Sequence, residues 1–161
     1  MVEISAVVDN TVLSNFALIG HEEILKAIFG DSLFTSVAVI KELVNGETRG
    51  ILPKRDWGWI KVLQLESEAE RRSFDLLRQR LGEGESSCLS LAISHNLKIL
   101  TDDLDTRRYA QSRGIPVSGT IGILVVAVRK GVISLEEGNN YLSGMIGKGY
   151  YSSYATLNEL V

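Results

Sequence analysis

The chain has 161 residues, 45% of them hydrophobic and 23% charged, with a net charge of −3 and a single cysteine. That length suits one domain, 1–161, around one sizeable core. The charge excludes a global basic field of the kind that advertises nucleic-acid binding, and the lone Cys88 excludes an intrachain disulfide framework and fits a reducing cytoplasm.

In chain order, "ISAVVD" (4–9) is short, β-branched and apolar on both faces, which predicts a buried parallel strand. "NTVLSNFALIG" (10–20) has helical spacing, with Asn10 or Thr11 available to cap it. "HEEILKAIFG" (21–30) is a second helix ending at glycine. "SLFTS" (32–36) reads as a strand and "VAVIKELVNG" (37–46) as a helix; "NGETRGILPKRD" (45–56) is the most flexible-looking loop. "DWGWIKVLQL" (56–65) predicts an extended edge segment, "SEAERRSFDLLRQRLGEG" (67–84) a polar amphipathic helix, and "ESSCLSLAISHN" (85–96) an apolar one. "LKILT" (97–101) is a strand, "DTRRYAQSRG" (105–114) a helix and "IPVSG" (115–119) a short strand. Next come two further helices, "TIGILVVAVRKG" (120–131) and "SLEEGNNYLSGMIG" (134–147), and the tail predicts a strand or turn, then a helix. Strands alternating with helices imply βαβ units, hence an α/β fold with a central parallel sheet.

The start "MVEISAVVDN" lacks the basic region and cleavage site of a signal peptide. No apolar run reaches the ~18 residues of a membrane span. A cytoplasmic chain away from membranes is the expectation.

Ligand chemistry in open parallel sheets gathers at the C-terminal ends of strands. The first strand ends in Asp9, and "LKILT" runs into Asp102, Asp103 and Asp105. Glu42 interrupts the apolar pattern of its helix, and Glu85 opens another, where it favours the helix dipole. Acids gathered in one cleft call for a cation, and carboxylates with only two histidines in the chain suit Mg²⁺ or Mn²⁺ rather than zinc. Such an ion can activate water against a phosphodiester. There is no G-x-S-x-G elbow, no P-loop in "GEGESS" and no glycine fingerprint after the first strand. One aspartate of the pair Asp102–Asp103 faces the cleft while the other caps the next helix; Asp103 is favoured for the cleft. Asp105 is either that cap or a further ligand. Arg107 and Arg108 pair with these acids, contact phosphate or form a solvated face. Lys54, Arg55, Lys61, Arg71, Arg72, Arg78 and Arg80 are candidates for a nucleic-acid backbone track.

"VVDNTVLSNFA", "VIKEL", "GEGESSCLSLA" and "ILTDDLDTRRYA" resemble, in order, the four acidic motifs of the PIN domain family. "GIPVSGTIGILVVAVRKGVI" resembles the stretch C-terminal to those motifs in its VapC-like prokaryotic subfamily. The resemblance implies a three-layer α/β/α sandwich and a Mg²⁺- or Mn²⁺-dependent endoribonuclease. It implies catalytic roles for Asp9, Glu42, Glu85 and Asp103, and metal ligation by Asp9, Glu85, Asp103 and Asp105. Thr11, Thr101 and Arg107 are the substrate-side candidates. Toxin membership, with an antitoxin protein as partner, rests on the family alone; a homodimer is expected from the family together with the apolar helices "LLRQRL" and "GILVVAVRKG". The residue after the first aspartate is usually small or a hydroxyl type; here it is Asn10, and with Thr11 retained little effect is expected. The alternatives are a PIN-like binding module with an eroded site, which should bind no Mn²⁺ in calorimetry, and a phosphatase of the haloacid-dehalogenase sort. The latter wants Asp-x-Asp where this chain has Asp9-Asn10-Thr11.

Overall fold

The computed structural model describes residues 5–161. Ile4 of the predicted first strand lies outside them. Among the described residues five short strands form one parallel sheet: β1 (Ala6–Val8), β2 (Leu33–Ser36), β3 (Lys61–Leu63), β4 (Lys98–Leu100) and β5 (Val117–Ser118). Their spatial order is β3-β2-β1-β4-β5. The chain thus starts in the middle, builds outward to β3, then returns to the other side of β1 to lay down β4 and β5. The crevice between β1 and β4 is the topological switch point, where open α/β sheets bind ligands. Registry pairs Val7 with Ile99 and Val8 with Leu100, so the residues just past these pairs, Asp9 and Thr101, emerge side by side.

All three residues of β1 are fully buried, as a central strand covered on both faces requires. β3 is one edge, with β5 the other, and its Lys61 and Val62 are exposed. On one face α5 (Glu83–His95) packs across β1, β2 and β4, flanked by α3 (Val37–Thr48), α4 (Glu68–Leu77) and α6 (Leu104–Ser112). The other layer joins α1 (Asn10–Ile19), α2 (Glu23–Phe29), α7 (Thr120–Arg129) and α8 (Leu135–Gly147). This is the expected three-layer sandwich. Caps set the helix starts: Asp9 for α1, Ser36 for α3, Asp103 for α6, and capping boxes Ser67–Glu70 for α4 and Ser134–Glu137 for α8. No described helix is long and apolar enough to cross a membrane.

Several expectations change: Asp9 rather than Asn10 or Thr11 caps α1, and α3 runs past Gly46 to Thr48, into the expected 45–56 loop. The helix expected over 67–84 ends at Leu77, and Gly82 instead caps α5, so Glu83 and Gly84 belong to the next helix. The tail forms no terminal helix. It is an irregular strap held by Leu157, whose side chain is fully buried and whose N–H donates to Asn139 Oδ1 at 2.7 Å. Arg129 Nη2 donates to the Leu160 carbonyl at 2.7 Å, and the chain closes in a single turn there. Anchoring to α7 and α8 replaces the helical bonds that its local pattern suggests.

Candidate active site

Asp9 sits at the floor of the switch-point crevice and is 1% exposed. Its backbone N–H continues the sheet by donating to the Leu100 carbonyl at 3.0 Å. Its Oδ1 caps α1, accepting from the N–H of Thr11 at 3.0 Å and of Val12 at 3.5 Å, and from the Thr11 hydroxyl at 2.5 Å. Its Oδ2 accepts from the Thr101 hydroxyl. Burial raises its carboxyl to about 7; the bonds from Thr101 and Thr11 oppose the rise, and the charge of Glu85 adds to it.

Glu42 reaches across from α3 to the start of α5, where its Oε1 accepts from the Gly84 N–H at 3.0 Å. It takes one of the orphan donors of the first turn and gains from the helix dipole. A β-carbon at Gly84 would lie 2.5 and 2.8 Å from the two Glu42 oxygens, so this approach requires glycine. Burial and then the charge of Glu85 raise Glu42; the Gly84 bond opposes them, Glu83 adds to them, and a bond from the Asn10 side chain also opposes. Glu85, in the first turn of α5, folds its carboxylate over Gly82, where a side chain would collide with it. Beneath the acids the buried thiol of Cys88 lies 3.6 Å from the Val8 carbonyl. Burial pushes that thiol up, and the charges of Asp9, Glu42 and Glu85 contribute.

The charge of Glu85, from α5, thus reaches both Asp9 at the end of β1 and Glu42 on α3. The other expected acids come from the end of β4. Contrary to the expected division, the cap of α6 is Asp103 itself, the aspartate favoured for the cleft, and neither Asp102 nor Asp105: its Oδ2 accepts from the Thr106 N–H at 2.9 Å and hydroxyl at 2.6 Å. Its own N–H donates to Thr101 Oγ1 at 3.1 Å, which ties it to Asp9 through one hydroxyl. Asp102 is engaged on both oxygens: Oδ1 accepts from the Thr120 N–H at 2.9 Å and from Tyr150 at 3.4 Å, and Oδ2 from Asn15 at 3.0 Å and the Thr120 hydroxyl at 2.5 Å. Burial, and then the charge and bond of Asp102, push the Tyr150 phenol well above its ordinary value. Asp102 latches α1, α7 and the tail together. Asp105 is exposed in the first turn of α6.

Among the substrate-side candidates, Thr11 donates to Asp9 and accepts from the Asp102 N–H at 2.8 Å, while Thr101 is fully buried. Arg107 Nη1 donates to the Thr101 carbonyl at 3.1 Å. It packs against Gly119, where a β-carbon would stand 2.8 Å from Nη1. Sequence reasoning gave Asn10 no part in the site, yet it reaches Glu42 while its Oδ1 accepts from Ser14 at 2.7 Å. Its place directly after Asp9, at the start of α1, was the available signal. The latch residues Asn15, Thr120 and Tyr150 carried none, because each is distant in sequence from Asp102.

The donor set consists of carboxylates, the chemistry of a hard, oxygen-seeking cation. Burial and like charge both oppose ionisation of Asp9 and Glu42, and a cation among them would offset both. As placed, no three His, Cys, Asp or Glu side chains among the described residues stand together closely enough to hold a metal ion.

A family model described as PIN domain matches residues 5–161. The chain belongs to the PIN domain family. Among solved structures, the crystal structure of PAE2754 from Pyrobaculum aerophilum is similar in fold, with a TM-score of 0.57 at 18% identity, covering 79% of this chain and 91% of that one. A toxin–antitoxin complex from Klebsiella pneumoniae matches with a TM-score of 0.49 at 19% identity, over 71% of this chain and 96% of that one. No curated protein matches the chain.

Proposed function

We propose that the protein is a ribonuclease that hydrolyses RNA phosphodiester bonds at the crevice between β1 and β4, with Mg²⁺ or Mn²⁺ bound by the acids there. The observation that carries this reading is Asp9: a carboxylate 1% exposed at the switch point, its ionisation opposed by burial and by Glu85. Capping α1 needs only a neutral acceptor such as asparagine or serine, so an acid buried here beside Glu85 favours a cation that completes it. Asp9, Glu85, Asp103 and Asp105 are the proposed ligands, with Glu42 as the further catalytic acid. When bound, the ion supplies a water of lowered pKa and neutralises charge on the phosphoryl oxygens.

The chain's own residues set up that chemistry. Thr11 and Thr101 hold the two oxygens of Asp9 from opposite sides and so fix its plane. Gly84 and Asn10 hold Glu42 at the helix start. Arg107 steadies the end of β4 through the Thr101 carbonyl, leaving its remaining guanidinium donors for substrate. Asp103 is preferred to Asp102 as ligand because both of its cap bonds fall on Oδ2, whereas Asp102 is engaged on both oxygens.

The test is cleavage of single-stranded RNA with Mn²⁺ by the native chain and by Asp9→Asn and Asp103→Asn. A fall of at least about 100-fold in each is expected; undiminished cleavage in both refutes the reading. An antitoxin partner and a homodimer belong to the same proposal through the family, and co-purification with the product of a small neighbouring gene tests the first.

A further inference from the structure

A cleft of about 650 Å³ runs between α4 and α6, adjoining the acid crevice at Asp105. Arg80, Arg108 and Arg113 line it, and all three are exposed. In a chain of net charge −3 this is a local concentration of positive charge. Two arginines elsewhere are neutralised by acids, Arg55 by Glu22 and Arg72 by Glu68. Among the described residues none of the three cleft arginines forms an ion pair. Unpaired guanidinium groups facing one space favour an anion, and their forked donors suit phosphate.

A second feature separates a nucleic acid from a simple anion. The Arg113 guanidinium carbon sits 5.1 Å from the centre of the Tyr109 ring, in the same cleft. The ring face steadies that guanidinium, and arginine planes and aromatic rings both stack on unpaired bases. The wall is apolar, with Leu77 buried and Leu76 63% exposed. The cleft also connects to the acids. Its lining includes Leu81, next to the α5 cap Gly82, and Asp105, two residues past the α6 cap Asp103.

We infer that the α4–α6 cleft holds the single-stranded RNA that flanks the scissile bond. Arg80 and Arg108 bind backbone phosphates, and Arg113 on Tyr109 stacks a base. This rests on the ribonuclease reading of the acid cluster. Because the cleft binds without metal, the two can fail separately.

The experiment is fluorescence anisotropy of the full chain with a labelled 12-nucleotide single-stranded RNA in EDTA, across a salt series. The double variant Arg80→Glu/Arg108→Glu is expected to bind at least about tenfold more weakly. Its slope of log K against log salt should be shallower by about 1.4, at roughly 0.7 per phosphate contact on a single strand. Arg80→Lys/Arg108→Lys should restore the slope, since lysine keeps the charge. Arg113→Ala should weaken single strands more than the matching duplex, and Lys26→Glu on α2 should change nothing. Circular dichroism of each variant confirms the fold. Native affinity and slope in Arg80→Glu/Arg108→Glu overturn the proposal, as does a native chain that binds no RNA in EDTA. Tighter binding of the deoxy strand, or displacement of RNA by an acidic peptide, also overturns it. If Asp9→Asn abolishes cleavage while the arginine variants bind normally, the nuclease reading stands and the cleft assignment falls.

Discussion

Replacing Asp9 by asparagine should stabilise the metal-free protein at pH 8 while abolishing its proposed activity. The carboxyl rises from its ordinary 3.8 to about 7 on folding. The folded state therefore holds a proton that the unfolded chain releases near pH 4. Stability falls as pH rises between about 4 and 7, and the cost is fully present above 7. At about 1.4 kcal/mol per pH unit the cost approaches roughly 4 kcal/mol, an upper bound. Asparagine removes it and keeps most of the bonds: Oδ1 still accepts from Thr11 and Val12, and Nδ2 can donate to Thr101 Oγ1 in place of the bond received there. Loss of one donor–acceptor match costs about 1 kcal/mol. The net gain is at most about 3 kcal/mol, or roughly 6–12 °C in Tm for a chain of this size. Thermal unfolding by circular dichroism in EDTA, from pH 4 to pH 8, checks it. The variant should be no more stable than the native chain at pH 4 and clearly more stable at pH 8. Adding Mn²⁺ at pH 8 should then raise the Tm of the native chain but not of the variant. A gap that does not grow with pH, or a variant that melts below the native chain at pH 8, would refute the idea that Asp9 carries an uncompensated buried charge.

Gly84→Ala separates site geometry from folding. Alanine favours a helix interior by about 1 kcal/mol over glycine, yet its β-carbon would displace the Glu42 carboxylate. Urea unfolding should show stability unchanged or slightly raised, while RNA cleavage falls at least about tenfold. Glu70 has the opposite pH sign to Asp9. Burial would raise it, but bonds from Ser67, Ser94 and the Glu66 N–H outweigh burial and hold it at about 2. Its contribution is present above pH 4.5 and is lost as pH falls toward 2. Glu70→Ala should cost about 2 kcal/mol at pH 7 through the lost capping box, and much less at about pH 2.5, read as urea midpoints. Leu157→Ala should cost about 2–4 kcal/mol, because a fully buried side chain pins the tail; hydrogen exchange should then show faster opening at 150–161.

Local pattern determined the elements. The β-branched run before Asp9 marked a buried strand, the helical spacing after it marked α1, and alternation of the two marked a parallel α/β fold. Local pattern misplaced the boundary at Gly82, because Glu83 and Gly84 continue either neighbouring helix equally well. It also assigned a helix to a tail whose bonds go to Asn139 and Arg129 on other elements. Acids at strand and helix ends were legible because such positions derive from the elements themselves. Which acids feel one another was a matter of strand order. Only the sheet order places β4 beside β1, and so brings Thr101 onto Asp9 across 92 residues of chain. The division between Asp102 and Asp103 likewise depended on what surrounds them. Asp102 meets Asn15, Thr120 and Tyr150, while Asp103 meets its own helix and Thr101. Sequence determines which residues have acidic or hydroxyl chemistry and where along an element they fall. Tertiary packing decides which of their lone pairs are already occupied, because that depends on neighbours the sequence does not place next to them.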